Sequence, residues 1–357
     1  MGKSNTLVRK KKNLPSREPF SRQYSRLIRS ISQKDTKVVV SMGGGGVRMF
    51  AHISVIRFLE KLGAEPYISE VWGASGGAIV GLFLSMGLRA DEIMREADAY
   101  FKEHQLKLYP SIFSVVKNVV RDAIFSEADP AMLKGFHSIN EQLQHLVSQT
   151  LKTGKEKYPF YSLAYNLANN QTDVLTPSLI PEGIYSDFIF RTDPLDAIIA
   201  SSAIPVLFHP KVIDDANGKR TYTDGATGEE IPTVSIYKKW LRDREVGLEK
   251  RKKLLVIAVS LGSDLSSGGF FEQWLIRKIP AFEYFRMTVR LTDMIRQARI
   301  SEQKRTLMQD PNVELWEVNL DLAKSGFLDV KGIPRVMELA EKSAPIEFTR
   351  INNLLLG

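Results

Sequence analysis

The chain has 357 residues, of which 43% are hydrophobic and 25% are charged, so its composition is that of a soluble globular protein with a large core and one or two domains. It contains no cysteine, which excludes disulfides, thiol catalysis and cysteine-ligated metal sites. No apolar run reaches the ~18 residues of a membrane-spanning helix, and the basic N-terminus lacks the apolar stretch of a secretory signal. We therefore expect a cytoplasmic protein.

The net charge of +8 is concentrated at the N-terminus. Residues 1–35 hold ten Lys and Arg residues and two acidic ones, so this segment alone accounts for the net charge of the whole chain. The remainder is neutral, which argues against a nucleic-acid-binding body and for a separate basic arm.

Residues 1–18 are predicted to be disordered because they are basic and polar. After Pro19 an amphipathic helix is predicted, since apolar residues recur on one helical face at Phe20, Tyr24, Leu27, Ile28 and Ile31. Two placements remain open: the helix lies peripherally on an anionic membrane surface, or it packs on the body with its arginines in solvent. The start around Gly2 fits the loose myristoylation pattern, with an ordinary start as the alternative.

A glycine-rich turn follows the first predicted strand, Lys37–Met42. Gly43–Gly46 leads into a helix predicted from Val47 to Leu62, and such a turn is an anion site because free N–H groups converge near a helix start. It would serve a dinucleotide or form an oxyanion hole. A dinucleotide fold needs a last glycine where Met49 stands, and an acid at the end of the second strand.

The second predicted strand ends in a serine turn instead. Gly73-Ala-Ser75-Gly-Gly77 lies between a short apolar run and an Ala/Ile/Val/Leu helix pattern. Strand, sharp turn and helix around a serine form the nucleophile elbow, which exposes the hydroxyl at the end of a sheet. An elbow one strand after the glycine turn favours the oxyanion hole.

The remaining elements follow in order. Residues 88–157 have a helical pattern, which is interpreted either as a lid or acyl-chain pocket or as ordinary helical core. Residues 270–289 combine aromatic and basic residues, a composition that suits either a lipid interface or core packing. The other predicted elements are a strand at Phe160–Leu167, a helix within Asp193–Phe208, a strand ending at Asp224-Gly225, a buried parallel strand at Leu254–Gly262, a strand at Val313–Leu320 and a helix at Ile333–Ala344.

These motifs together resemble the patatin-like phospholipases, relatives of cytosolic phospholipase A2. The resemblance rests on Gly44-Gly-Gly-Val-Arg48, the elbow around Ser75, Asp224-Gly225 and the segment Asp193–Phe208, and it covers about residues 37–345. It implies an α/β fold, a three-layer sandwich with a central, mostly parallel sheet. We assign residues 36–350 to this domain, with the helical region 88–157 as its lid or cap, and residues 1–35 to the arm.

The resemblance also implies a lipid acyl hydrolase that uses no metal or other cofactor and acts on phospholipids or other lipid esters. In a Ser–Asp dyad, Ser75 would attack the ester and Asp224 would take and return its proton. Arg48 would orient the glycine loop or meet a phosphate head group. The residues expected to form the oxyanion hole are Gly44, Gly45, Gly46, Arg48 and Gly76.

Alternatives remain at this stage. A Ser–His–acid triad would need His209, with Asp196 as its acid, in place of the dyad. The protein would otherwise be a non-lipid esterase, or a catalytically silent protein that binds lipid or a partner. The chain also departs from the family pattern at Gly43, at Met49, and at Glu230, where the family commonly has Asn.

Overall fold

The computed structural model describes residues 20–103, 156–204, 210–215, 218–262, 298, 301–302, 304–305, 307–322 and 332–355. Several predictions fall outside these residues: the disordered arm, most of the lid region, His209, and the aromatic segment 270–289.

Strands and helices alternate in the first part of the described chain, and consecutive strands follow in the later part. The strands are β1 (Thr36–Met42), β2 (Ile68–Ala74), β3 (Phe160–Asn166), β4 (Gln171–Thr176), β5 (Ile189–Arg191), β6 (Lys211–Asp215), β7 (Gly218–Asp224), β8 (Lys253–Ser260) and β9 (Val313–Asn319). The helices are α1 (Phe20–Gln23), α2 (Ser25–Ile31), α3 (Ala51–Lys61), α4 (Gly76–Ser85), α5 (Ala90–Glu103), α6 (Pro194–Ser201), α7 (Val234–Glu245) and α8 (Ile333–Leu354).

The strands form one mixed sheet in the order β5-β4-β3-β2-β1-β8-β9, with β7 beside β3 and β6 beside β7. The pairs β3–β2, β2–β1, β1–β8, β8–β9 and β4–β5 are parallel. Strand β3 changes partner along its length: its first half pairs with β2, and from Ala164 onward it pairs antiparallel with β7. The end of β7 therefore lies close to the carboxyl end of β2.

Helices cover both faces of the sheet, because the central strands are apolar on both sides. On β1, Val38 and Val40 belong to a core with α3, α4 and α8, while Val39 belongs to the opposite core with α7. Helix α6 packs beside α4 on the first face, where Ile198 meets Phe160. The predicted three-layer α/β sandwich is confirmed. No helix in the described ranges has both the length and the apolar character needed to cross a membrane.

Two predicted helices have different bounds in the structure. The first begins as a 3-10 turn, Gly46–Phe50, before α3. The closing helix α8 does not end before Pro345 but continues to Leu354. The hydroxyl of Thr349 donates to the carbonyl of Pro345 at 2.7 Å, one of several bonds along this part of the helix.

The predicted N-terminal amphipathic helix packs on the body. It forms α1 and α2, and its apolar residues Tyr24, Leu27 and Ile31 are buried. The ring of Tyr24 contacts Phe58 of α3 edge-on, and its hydroxyl lies 3.0 Å from Thr349 Oγ1 of α8. The protein itself therefore covers the apolar face, as in the second placement. Arg22 and Arg29 are exposed as that placement predicts, whereas Arg26 is partly buried.

A buried ion cluster lies where β1 and β2 begin, at the opposite end of the sheet from Ser75. Glu70 Oε1 lies 2.6 Å from Lys37 Nζ and 2.9 Å from Lys239 Nζ, and Glu70 Oε2 accepts from Trp72 Nε1 at 3.0 Å. Burial by itself raises the pKa of Glu70, but the two ammonium groups hold that pKa to about 2. Since its carboxylate is committed to this cluster, Glu70 does not supply the ribose ligand of a dinucleotide fold.

The packing of α2 predicts the effect of shortening Leu27. Leu27→Ala is expected to lower the free energy of unfolding by about 2–5 kcal/mol, because the side chain is fully buried between the helix and the body. Arg29→Ala, on the exposed side of the same helix, is the matched control and is expected to change it by less than about 0.5 kcal/mol. Urea unfolding of the full chain measures both, and equal values for the two variants would contradict the packing.

Candidate active site

Ser75 occupies a strained turn between β2 and α4. Its backbone has φ 53° and ψ −129°, in a region that residues other than glycine seldom adopt. The turn is held by hydrogen bonds from Ser75 N–H to Ser201 Oγ and from Ala78 N–H to the Ser75 carbonyl, both 2.9 Å. A methyl group on Gly77 would lie 2.3 Å from the Met42 carbonyl oxygen, so glycine is required there. The sequence pattern therefore folds as the predicted sharp turn between strand and helix, but Ser75 is 3% exposed rather than open to solvent.

The glycine turn lies beside the elbow and is fixed at its first peptide bond. The carbonyl of Gly43 accepts a hydrogen bond from His52 Nε2 at 2.9 Å, and the N–H of Gly44 donates to the Glu230 carbonyl at 3.0 Å. Because both polar groups of the Gly43–Gly44 peptide are bonded, its orientation is determined, and with it the direction of the N–H groups that follow.

Asp224 ends β7 and begins a short 3-10 turn. Its N–H donates to the Ala203 carbonyl at 2.9 Å, and its Oδ1 accepts from Ala226 N–H at 2.8 Å. The residue is 4% exposed. A methyl group on Gly225 would lie 2.1 Å from the Leu163 carbonyl oxygen, so the chain passes too close to β3 for any other residue.

The three motifs meet at Gly44. A methyl group there would lie 3.3 Å from Ser75 Cβ and 2.9 Å from Ala226 Cβ. The glycine turn is thus wedged between the elbow and the loop that follows Asp224, although these segments are far apart in the sequence. The structure brings together the residues that the sequence singled out.

Of the four glycine N–H groups predicted for an oxyanion hole, one is already used within the protein. The N–H of Gly44 is donated to Glu230. The N–H groups of Gly45 and Gly46 have no acceptor within the described part of the chain, and the N–H of Gly76 is in the first turn of α4, where helices lack internal acceptors. The N–H groups of Gly45, Gly46 and Gly76 therefore remain as candidate donors.

Arg48 lies behind the glycine turn. It is 6% exposed, and its guanidinium donates to the Gly262 carbonyl at 2.9 Å. This contact ties the turn to the segment after β8 and favours the loop-orienting role over contact with a head group. Met49 packs against the elbow, since a methyl group on Gly76 would lie 2.8 Å from Met49 Cβ.

Two buried titratable side chains, His52 and Glu229, contribute hydrogen bonds to the loops of the candidate site. Desolvation lowers the pKa of His52 to about 4, although its bond to Gly43 raises it, so the ring is neutral and carries its hydrogen on Nε2. Burial raises the pKa of Glu229, against hydrogen bonds from Ser235 and Val234 that lower it. Through those bonds Glu229 links the loop after Asp224 to the start of α7.

The acid of the alternative triad is engaged elsewhere. Asp196, on α6, forms an ion pair with Lys211 of β6 at 2.6 Å, and both side chains are partly exposed. His209 is outside the described residues. Among the side chains that the structure describes, no group of three or more His, Asp or Glu has the arrangement of a metal site.

Sequence reasoning missed three contributors to the site. They are the His52 ring, the Glu230 carbonyl and the Ser201 hydroxyl. All three act through backbone hydrogen bonds, for which residue types and spacing give no signal. The resemblance of the Asp193–Phe208 segment was the one indication that it contributes to the site.

Comparison with protein families assigns the chain to one of them. Fold and site define an α/β protein with a serine elbow, and a family model described as patatin-like phospholipase matches residues 40–236, more than half of the 357-residue chain. The chain belongs to the patatin-like phospholipase family, as its motifs predicted.

Solved structures similar to this chain share little sequence with it. VipD from Legionella pneumophila has a TM-score of 0.41 and 12% identity, with 89% of this chain and 68% of VipD covered. Human GIVD cytosolic phospholipase A2 in complex with methyl gamma-linolenyl fluorophosphonate has a TM-score of 0.42 and 11% identity, with 94% of this chain and 62% of that chain covered. ExoU in the ExoU-SpcU complex of Pseudomonas aeruginosa has a TM-score of 0.37 and 11% identity, with 89% of this chain and 52% of that chain covered. The chain thus spans about half to two thirds of the length of these proteins.

The neutral state of His52 predicts a pH dependence of stability. Unfolded His52 binds a proton below its ordinary pKa of 6.5, but the folded protein binds it only near pH 4, so stability falls as the pH falls through this window. The loss approaches about 1.4 kcal/mol per pH unit and about 3 kcal/mol in total. His52→Gln keeps a donor for Gly43 without titrating, so this part of the pH dependence is expected to disappear.

Urea unfolding of both proteins at several pH values between 4 and 7 measures the effect. The difference in unfolding free energy is expected to shift in favour of His52→Gln as the pH falls. Parallel curves would show that His52 titrates normally in the folded protein.

Proposed function

We propose that the protein is a lipid acyl hydrolase of the phospholipase A or lysophospholipase type, with a Ser75–Asp224 dyad. The observation that carries the proposal is the convergence at Gly44, where the serine elbow, the glycine turn and the loop after Asp224 are in contact. Two N–H groups of this turn have no acceptor among the residues that the structure describes. A nucleophile, a base and oxyanion donors are the three components that acyl transfer requires.

In the first half of the reaction, Ser75 Oγ attacks the ester carbonyl while Asp224 takes the hydroxyl proton. The negative oxygen of the tetrahedral intermediate accepts hydrogen bonds from the N–H groups of Gly45, Gly46 and Gly76. Each such donor is worth about 2.7–4 kcal/mol of barrier in known oxyanion holes. The intermediate collapses, the alcohol portion leaves with the proton from Asp224, and the acyl group remains on Ser75.

In the second half, water attacks the acyl-serine ester and gives its proton to Asp224. The second intermediate collapses, the proton returns to Ser75 Oγ, and the fatty acid leaves. Both halves use the same oxyanion donors, and His52 is not a proton carrier because its hydrogen-bonded Nε2 is directed to the Gly43 carbonyl.

The test is labelling of the full chain with a fluorophosphonate probe, located by intact mass and peptide mapping. We expect one adduct on Ser75, none in Ser75→Ala, and labelling slower by about 10²–10⁴-fold in Asp224→Asn, the usual contribution of a general base. Ser85→Ala is the matched control, because it removes a buried hydroxyl from the same helix and is expected to label like the wild type. A folded wild type that takes no label would overturn the proposal in favour of a silent binding protein.

Substrate class is tested next with lysophospholipids, phospholipid vesicles and soluble short-chain esters. A phospholipase is expected to hydrolyse the lipids faster when they form an interface. Turnover confined to the soluble esters would assign the protein as a non-lipid esterase.

We also propose that the basic N-terminal residues bind the protein peripherally to anionic membranes. Since the apolar face of α2 is buried, this binding would depend on charge, at about 1 kcal/mol per Lys or Arg near the surface. Sedimentation with phosphatidylserine vesicles is expected to decrease when Lys10, Lys11 and Lys12 are changed to Gln and at high salt. Binding that is insensitive to both changes would contradict this proposal.

A further inference from the structure

One short segment is hydrogen-bonded to the backbone of both proposed catalytic residues. At the end of α6, the hydroxyl of Ser201 accepts the N–H of Ser75 at 2.9 Å. Two residues later, the carbonyl of Ala203 accepts the N–H of Asp224, also at 2.9 Å. The segment Ser201–Ala203 therefore bridges the elbow and the end of β7.

The segment Ser201–Ala203 is buried and is hydrogen-bonded to the neighbouring strands. Ser201 and Ala203 are buried, with exposures of 0% and 3%. The Ala203 carbonyl also accepts the hydroxyl of Thr223 at 2.7 Å, and α6 is tied to β3 by the Ser162 hydroxyl, which donates to the Ala197 carbonyl at 3.2 Å. The segment that carries Ser201 is therefore anchored to β7 and β3 by contacts that do not involve the elbow.

The contact to Ser75 is made where the backbone most needs support. Ser75 has a positive φ, and such a conformation persists only where the surroundings determine it. The N–H of Ser75 lies just beyond the β2–β3 pairing, which ends at Ala74, and its hydrogen bond is made to the side chain of Ser201.

We propose that Ser201 is a positioning residue for acyl transfer: its hydroxyl holds the elbow while the adjoining Ala203 carbonyl holds Asp224, so that the segment sets the distance between nucleophile and base. This inference rests on the proposed function of Ser75 and Asp224. Ser201 does not touch the reacting atoms and acts only through the Ser75 backbone.

The chain provides a matched control in the next residue. The hydroxyl of Ser202 is buried and has no hydrogen-bond partner among the described residues. Ser201→Ala and Ser202→Ala remove the same group from adjacent positions of one turn. They differ in whether the lost oxygen was bonded to the elbow.

The experiment measures fluorophosphonate labelling of Ser75 in the full chain, with the maximal rate and the probe affinity determined separately and the folded fraction checked by circular dichroism. Ser201→Ala is expected to lower the maximal rate by about 10–100-fold with little change in probe affinity, since a misplacement of ~1 Å costs about 10²-fold. Ser202→Ala is expected to stay within about twofold of the wild type, and Ser201→Thr, which retains the hydroxyl oxygen, is expected to recover most of the rate.

The outcomes separate this inference from the proposed function. Wild-type labelling with an unchanged rate in folded Ser201→Ala would overturn the positioning role alone, and so would equal losses in the Ser201 and Ser202 variants. A wild type without label would overturn both proposals. If Ser201→Ala does not fold, Ser201→Cys decides the question: it keeps the volume but is a weak acceptor, so a slowed rate supports the inference and an unchanged rate refutes it.

Discussion

The arrangement of the candidate site at the carboxyl end of the sheet depends on how closely the backbone segments approach one another there. The glycine turn reaches the elbow and the loop after Asp224 only because Gly44 has no side chain to separate them. Gly77 and Gly225 allow the same close contact against the carbonyls of Met42 and Leu163. Backbone groups of the glycine turn therefore lie close to Ser75, and the fold fixes their orientation before a substrate arrives.

The two ends of the sheet are stabilised in different ways. Where β1 and β2 begin, buried charges of both signs join the strands to α7 through Glu70, Lys37 and Lys239. Breaking such a cluster at one partner is strongly destabilising, because an uncompensated charge is left in the interior. Where the same strands end, much of the support described above comes from neutral groups, among them His52 and the Ser201 hydroxyl. The strand that carries the nucleophile is thus held by ion pairs at its start and by backbone hydrogen bonds at its end.

Much of the fold and the turns of the candidate site could be predicted from the sequence. Continuous β-branched runs predicted β1 and β8, and the glycine patterns predicted the turns at Gly44 and Ser75, because each of these features has a local physical cause. The fixed peptide of Gly44 could not be predicted, since its partner is the carbonyl of Glu230, and every residue type has a carbonyl. The extension of α8 beyond Pro345 was also missed, because the helix is supported by packing against α2 and α3 that no local pattern records.

The contact between α2 and α8 has a consequence for how the protein is made. Tyr24 and Thr349 are 325 positions apart in the chain, so a ribosome adding ~5–20 residues per second takes roughly 15–65 s to supply the second after the first. For that interval the apolar residues of α2 have no complete surface to cover them. Docking of α2 is therefore a late step in folding, because it cannot be completed before α8 has been made.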